Sequence, residues 1–302
     1  MSPAAVATRP ARARAAAVTE DQAVLLVDGP DRPGLVSAIS SVLSGLGANI
    51  VTLDQYSDDP DGGRFYQRTV FHLDGLAGAW DSVNERLEAE IGGRLGLGWR
   101  LTNRSALKRV AILTSTSDHC VLDLLWRQRR GEIPMTVPMV IGNHATVADD
   151  VRGFGVPFVH VPSQGPDKSA AEAEILKLLQ GNVDLVVLAR YMQILSEDFL
   201  EKVGVPVINI HHSFLPAFIG AGPYKKAKER GVKLIGATAH YVTPDLDEGP
   251  IIEQDVVRVT HAETAEDLQS RGADVERAVL SRAVRWHCED RIVRSDRETI
   301  VF

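Results

Sequence analysis

The chain has 302 residues, of which 44% are hydrophobic and 24% are charged, and this ordinary composition excludes a fibrous or largely disordered protein. A formal net charge of -7 leaves no basic excess with which to bind nucleic acid or an anionic membrane surface. Because the length exceeds that of one average domain, we expect two domains, each large enough to have its own core.

Cysteine usage and hydropathy indicate the compartment. Cys120 and Cys288 lie far apart and lack the spacing of a disulfide framework or a zinc knuckle, so we expect reduced thiols. No apolar run approaches the roughly 20 residues that a membrane helix needs, and no signal-type apolar segment follows Met1. We therefore predict a cytoplasmic protein with neither a nucleic-acid nor a membrane partner.

The first 19 residues are rich in Ala, Arg and Pro and contain no acidic residue, a composition that organelle transit peptides share. Serine is scarce there, and Pro3 and Pro10 would interrupt an amphipathic helix. We therefore predict that residues 1–20 form a disordered tail.

Residues 21–103 alternate between strand and helix patterns. Apolar residues in the segment 35–46 recur at helical spacing, which predicts an amphipathic helix packed on a sheet. The predicted strands begin at Gln22 and cover residues 49–56, 64–73 and 97–102, and the predicted helices cover residues 35–46 and 80–91. This β-α-β-β-α-β order is ferredoxin-like.

The turn after the first strand, Asp28-Gly-Pro-Asp-Arg-Pro-Gly-Leu-Val, resembles that of the ACT domain, a small regulatory module. ACT domains commonly bind amino acids or other small molecules between paired copies. The resemblance implies an effector site at Asp31, Arg32, Gly34 and Leu35, and a homo-oligomer such as a dimer or tetramer. An alternative stays open, in which the turn only joins strand to helix and the domain pairs copies without a ligand.

After a linker at residues 104–107, the segment 108–302 alternates strands with helices. The predicted strands cover residues 108–114, 137–141, 158–161, 185–188, 205–210, 234–242, 250–259 and 299–302. The predicted helices cover residues 118–129, 146–154, 168–179, 196–203 and 264–288. Such alternation implies an α/β domain with a doubly wound, mostly parallel sheet.

Polar side chains gather where two of these strands end. Asn209 and His211 stand at the end of the strand at 205–210, and Asp247 lies on the loop after the strand at 234–242. Because ligands bind at the carboxyl ends of strands in open α/β sheets, we expect the three side chains to face one cleft. An amide donor, an imidazole and a carboxylate suit the addition of a nucleophile to a carbonyl carbon.

The wider pattern is Asn-Ile-His-x-Ser-x-Leu-Pro-Ala-Phe, a loop with a glycine, a histidine, and Leu-Asp-x-Gly-Pro-Ile-Ile. It resembles the formyltransferase family that uses 10-formyltetrahydrofolate, and the resemblance runs from about residue 108 to the C-terminus. It implies that Asn209, His211 and Asp247 are catalytic and that folate is a substrate, with no separate cofactor. The substrate-binding residues that it implies are Arg190, Met192, Ile194, His212, Gly220 and His240.

The loop at residues 114–118, Thr-Ser-Thr-Ser-Asp, contains no glycine. The purine-pathway transferases of the family carry a glycine-rich loop there, which binds the phosphate of their acceptor. Without glycine the backbone amides approach a phosphate less freely, and Asp118, which also suits a helix N-cap, would repel one. The resemblance therefore implies that water is the acceptor, and that tetrahydrofolate and formate are products serving purine synthesis and one-carbon balance.

Three alternatives stay open. The chain could transfer the formyl group to an amine acceptor, or it could sense folate or an amino acid without catalysis. It could also hold a metal with His211, His212, His240 and Asp247, but adjacent strand residues point in opposite directions, so we predict no metal. His212 replaces a proline that is usual in glycinamide ribonucleotide formyltransferases, and its role does not follow from the sequence.

Overall fold

The computed structural model describes residues 20–163, 168–216, 222–295 and 298–302. The chain forms two compact units that divide between Ala106 and Leu107. Of the tail predicted at residues 1–20, all but Glu20 lies outside the described residues, as does Gly220. Within the described ranges, no helix combines the length and the apolar character needed to cross a bilayer.

The first unit is an antiparallel sheet with its helices packed on one face. Its elements are β1 (Gln22–Pro30), α1 (Leu35–Gly45), β2 (Asn49–Ser57), β3 (Arg64–His72), α2 (Leu76–Leu87), a π-helix (Glu88–Arg94) and β4 (Gly98–Asn103). The strand order is β2-β3-β1-β4. Leu25 of β1 packs in one core with Ile39 of α1 and Val83 of α2. The predicted ferredoxin-like order is confirmed.

The second unit contains the remaining elements of the described chain. Its strands are β5 (Lys108–Thr114), β6 (Met135–Thr136), β7 (Val140–Gly142), β8 (Phe158–His160), β9 (Leu185–Ala189), β10 (Val207–His211), β11 (Leu234–Tyr241), β12 (Ile251–Arg258), β13 (Ile292–Arg294) and β14 (Thr299–Val301). Its helices are α3 (His119–Arg130), α4 (Ala148–Gly153), α5 (Ser169–Leu179), α6 (Glu197–Val203), α7 (Pro223–Arg230) and α8 (Ala265–Cys288).

The main sheet has the order β12-β11-β10-β9-β5-β7-β8, in which the pairs from β10 to β8 are parallel and β11 and β12 are antiparallel. Successive residues of a strand face opposite sides, and the core follows this alternation. Val110 and Ile112 pack in the same cluster as residues of α3, α4 and α8. Ala111 and Leu113 pack with α5 and α6. The predicted doubly wound, mostly parallel sheet is confirmed.

Some elements differ from those predicted. Helix α7 was not predicted, because its polar sequence buries only Tyr224 and Ala227 among its described side chains and so shows no apolar stripe. Strands β6 and β13 have two and three residues, too few for a periodic signal. Helix α2 begins at Leu76 rather than at residue 80, directly after Gly75, which has a left-handed backbone with φ of 72°.

Helix α8 begins with a capping box that can be tested. The hydroxyl of Thr264 accepts a hydrogen bond from the Asp267 backbone N–H, and the Asp267 carboxylate accepts one from the Thr264 backbone N–H. We expect Thr264→Ala to lower the free energy of unfolding by about 1 kcal/mol, measured by urea titration. Thr264→Ser keeps the hydroxyl and is the control. Equal losses in the two variants would show that the cap is not responsible.

Candidate active site

The antiparallel pairing of β10 with β11 assembles the polar side chains. Asn209 stands opposite His240 in this pairing. Ile208 and Ile210 of β10 belong to the cluster that contains α8, so Asn209 and His211 lie on the opposite face of the sheet. The carboxyl ends of β10 and β11 lie at opposite ends of the pair. The expectation that both strands end at one cleft is therefore wrong, although Asn209 and His211 do adjoin Asp247.

Asp247 reaches this face because the loop between β11 and β12 folds back over it. Asp247 has a left-handed backbone with φ of 58°, which is uncommon for a residue with a side chain. Two residues later, a Cβ on Gly249 would lie 1.7 Å from the carbonyl oxygen of Tyr241. Only glycine permits this close approach, so Gly249 helps to position Asp247.

His240 orients the amide of Asn209. The Nδ1 atom of His240 lies 2.9 Å from the Tyr241 carbonyl oxygen and donates to it. The other ring nitrogen, Nε2, then accepts a hydrogen bond from Nδ2 of Asn209 at 3.2 Å. This arrangement leaves the second N–H of the Asn209 amide available to a ligand, and it gives the buried His240 a supporting role beside the site.

His211 and Asp247 form an ion-pair geometry, with 3.3 Å between Nδ1 of the imidazole and Oδ2 of the carboxylate. The hydrogen bond from His211, together with the nearby ring of His240, holds the pKa of Asp247 well below its usual range, despite partial burial of the carboxyl group. The Nε2 atom of His211 is buried and has no hydrogen-bond partner among the residues that the structure describes. Buried polar atoms are normally paired, so this nitrogen is the one that a substrate would engage.

A cleft opens beside these groups, and its lining includes Asn209, Asp247 and Ile194. Ile194 is 59% exposed, as expected of an apolar side chain that contacts a ligand. Met192 is 58% exposed but lies outside the lining, and Arg190 lines a second cleft instead. Arg190 and Met192 both have positive φ, near 60°, so the segment after β9 is strained next to the site.

His212 stacks on His211, with ring centroids 5.2 Å apart and ring planes inclined by 26°. These adjacent side chains do not diverge as predicted, because β10 ends at His211 and the chain turns. The four residues considered as metal ligands still form no compact group. Among the described residues, the cluster with ligand atoms within 4.8 Å of one another is His119, Cys120 and Glu276.

A buried polar network that the sequence patterns did not reveal surrounds Glu276 of α8, which is 2% exposed. Its carboxylate accepts a hydrogen bond from the hydroxyl of Tyr224 at 2.5 Å and lies 2.8 Å from Nε2 of His119. Arg190 approaches the same carboxylate at 3.5 Å. The sequence does contain a signal for this network, because Glu276 is a charged residue next to Val275 on the apolar stripe of a long helix.

In the loop after β5, the hydroxyl of Thr114 donates to the carbonyl oxygen of Ala189 at 3.1 Å. Helix α3 begins at His119, and Asp118 occupies the N-cap position. Its side chain makes no capping hydrogen bond, so the suggested capping role of Asp118 is wrong. The carboxylate remains beside the second cleft, where it would repel a phosphate.

The first unit holds the residues predicted to bind an effector. Asp31 accepts a hydrogen bond from the hydroxyl of Ser57 at 2.5 Å, and Arg32 donates to the carbonyl oxygen of Leu95. Gly34 has φ of 92° and precedes α1. The side chain of Leu35 is 3% exposed and packs in the core. The effector site stays a prediction for all four residues.

The chain is similar to known protein families and to proteins that carry a name. Residues 108–284 match the Formyl transferase family, and residues 23–76 match the ACT domain. Formyltetrahydrofolate deformylase of Mycobacterium bovis is 60% identical, over 92% of this chain and 90% of the relative. The Bacillus subtilis enzyme of that name is 49% identical, with 94% of each chain covered.

Among solved structures, a formyltetrahydrofolate deformylase from Pseudomonas syringae pv. tomato superposes with a TM-score of 0.89 and 42% sequence identity. The superposition covers 93% of this chain and 94% of that chain. Both units are therefore represented in the related structure.

The close approach at Gly249 yields a stability prediction. We expect Gly249→Ala to lower the free energy of unfolding by about 1–3 kcal/mol, because the new methyl group would overlap the Tyr241 carbonyl and shift the loop. Gly153→Ala is the control, since a Cβ there meets no atom within 4 Å. Urea titrations compare the two. If Gly249→Ala unfolds like the control, the loop is not held as described.

His212 yields a prediction about pH. Burial and the charge of Arg190 lower the pKa of His212 to about 4. In the unfolded chain the imidazole binds a proton near its usual pKa of about 6.5, so the stability that neutral His212 contributes is complete above that pH and is lost as the pH falls toward 4. Between pH 7 and pH 5, wild type should lose about 2 kcal/mol more unfolding free energy than His212→Phe. Parallel pH profiles would contradict this.

Proposed function

We propose that this chain, which belongs to the formyl transferase family and within it to the formyltetrahydrofolate deformylases, hydrolyses 10-formyltetrahydrofolate to tetrahydrofolate and formate. The observation that carries the proposal is the buried Nε2 of His211, which lacks a hydrogen-bond partner within the described ranges and lies beside Asn209 and Asp247, in a chain 60% identical to a deformylase over both units. The relatives support hydrolysis rather than formyl transfer to an amine or sensing without catalysis.

The difficult step is the addition of water to the formyl carbon, because it breaks amide resonance and places negative charge on the carbonyl oxygen. In our proposal, the free N–H of Asn209 and a proton on Nε2 of His211 stabilise that oxyanion. Asp247 orients the imidazole through Nδ1, and its low pKa keeps it ionised for this task.

Collapse of the intermediate then breaks the bond between the formyl carbon and the folate nitrogen. The nitrogen takes up a proton, and the carbon leaves as formate, with one oxygen from the formyl group and one from water. Asp247 also orients the attacking water and passes protons toward the nitrogen in this scheme. We propose that no cofactor takes part, since the folate is the substrate.

The cleft lined by Ile194 and Leu246 suits the apolar part of a folate, because both side chains are more than half exposed there. Met192 is a further candidate contact at its edge. His240 lines the same cleft, and in the proposal it fixes the amide of Asn209. Arg190 lines the second cleft and His212 lines neither of the two, so we assign neither residue to folate binding.

The first unit supports a coarser proposal. The ACT match over residues 23–76 favours regulation by a small effector near Asp31 and Gly34, in an assembly of at least two copies. Supply of formate for purine synthesis and balance of one-carbon pools are the roles that hydrolysis would serve. The cytoplasmic location expected from the sequence stays a prediction.

The direct test supplies purified protein with 10-formyltetrahydrofolate and no acceptor, and measures formate. We expect Asn209→Ala, His211→Ala and Asp247→Ala each to slow release by roughly 100-fold or more, because each loses a group that acts in the transition state. Glu248→Gln removes an exposed carboxylate next to Asp247 and is the control. Absence of formate from wild type would refute hydrolysis, and a variant retaining half its rate would remove that residue from the scheme.

A further inference from the structure

His212 lies in a continuous layer of three rings. It stacks on His211 on one side, and on the other its ring centroid is 6.2 Å from that of Tyr224, at an angle of 42°. His211 is 6% exposed and Tyr224 is 8% exposed, and His212 between them is half-buried. We call His211, His212 and Tyr224 the ring partition.

Helix α8 has a surface depression that holds the ring of Tyr224, the last ring of the partition. A Cβ on Gly272 would lie 2.0 Å from the hydroxyl oxygen of Tyr224 and 2.3 Å from its Cζ atom. The ring therefore occupies a notch that exists only because residue 272 is glycine. Glycine inside a helix costs about 1 kcal/mol relative to alanine, so this notch is a specific feature of the helix.

Glu276, one turn further along α8, fixes the ring in this notch. Burial and the neighbouring Glu276 raise the pKa of Tyr224. The hydroxyl therefore keeps its proton and donates a hydrogen bond to the carboxylate. Burial would raise the pKa of Glu276, but its pKa lies below the usual value. The lowering comes from the hydrogen bond with His119, the charge of Arg190 and the hydrogen bond from the Tyr224 hydroxyl. Displacing Tyr224 would leave a buried charge short of a partner, which is strongly unfavourable.

Each end of the partition adjoins a different cleft, because His211 contacts Asp247 of the first cleft and Tyr224 lines the second. Asn209 and Asp247 line the first cleft, where the formyl group is proposed to bind. The second cleft is lined by carboxylates and by part of the partition, namely Asp118, Glu266, Glu276 and Tyr224, together with Arg190. Its carboxylates outnumber its one guanidinium group, so it attracts amines and cations rather than phosphates.

We infer that the ring partition selects the acceptor: it keeps amines of the second cleft from the formyl carbon in the first, so that water is the nucleophile that reacts. The inference rests on the proposed hydrolysis and assigns to His212 and Tyr224 the choice of nucleophile. Close packing makes such a barrier effective, because packed side chains leave few voids larger than a water molecule between them.

The two reactions share one tetrahedral addition and differ in the group that attacks. With an amine, a new carbon–nitrogen bond forms, the bond to the folate nitrogen breaks, and the proton lost by the amine ends on that nitrogen. Neither an oxidant nor a reductant is needed. The groups proposed to stabilise the oxyanion serve both reactions. The outcome therefore depends on which nucleophile can reach the formyl carbon.

The experiment measures the product ratio in the presence of methoxyamine, which is larger than water and uncharged at neutral pH. Formate and N-methoxyformamide are quantified by mass spectrometry, with tetrahydrofolate as the total. Wild type should yield formate. His212→Ala, Tyr224→Ala and Gly272→Ala open the partition in three different ways, and we expect each to raise the ratio of N-methoxyformamide to formate by about tenfold or more.

Matched controls retain the rings. His212→Phe preserves the stack, and Tyr224→Phe preserves the ring while removing its hydrogen bond to Glu276, so both should keep the wild-type product ratio. Ratios unchanged in all three opened variants would overturn the inference, as would loss of all turnover in the three, since the rings would then serve the reaction itself. A wild type that releases no formate would instead refute the proposed hydrolysis.

Discussion

The antiparallel pairing of β10 with β11 is the constraint on which the rest of the site depends. One face of this pair is apolar and packs on α8, and the other carries Asn209, His211 and His240. A shift of one residue in register would turn the polar side chains into the α8 core and the isoleucines into the cleft. Burial of the apolar face therefore fixes the position of the chemical groups on the opposite face.

The same pairing explains why backbone strain collects around the site. Asp247 approaches His211 only because the loop after β11 turns back, and it adopts a left-handed conformation in doing so. Arg190 and Met192, at the end of the neighbouring strand β9, share this conformation. Strain of about 1–3 kcal/mol per residue persists only where the surrounding structure holds it, as the Gly249 contact does here.

Helix α8 connects the core with the chemistry. Its apolar stripe packs against β10 and β11, while Gly272 and Glu276 on the same helix hold Tyr224. The helix that fixes the register of the catalytic strand thus also positions the partition beside it. A change in α8 would therefore alter both the stability of the second unit and the surroundings of His211.

The sequence by itself determined the two domains' fold classes and the family, because alternating strand and helix patterns and the Asn209 to Asp247 motif are local signals. It also singled out Asn209, His211 and Asp247, but for a partly wrong reason. Both β10 and β11 are buried and read as near-continuous apolar runs, so their pattern does not reveal whether they run parallel or antiparallel.

Only the tertiary structure decided which distant residues support the site. Tyr224 and Glu276 are 52 positions apart and lie on helices whose approach depends on packing rather than on local sequence. The role of His212 did not follow from the motif because one of its two ring partners, Tyr224, comes from another element. Hydrogen bonds between distant elements leave no periodic signal in a single sequence. The partition therefore depends on how the helices pack on the sheet and cannot be inferred from the sequence alone.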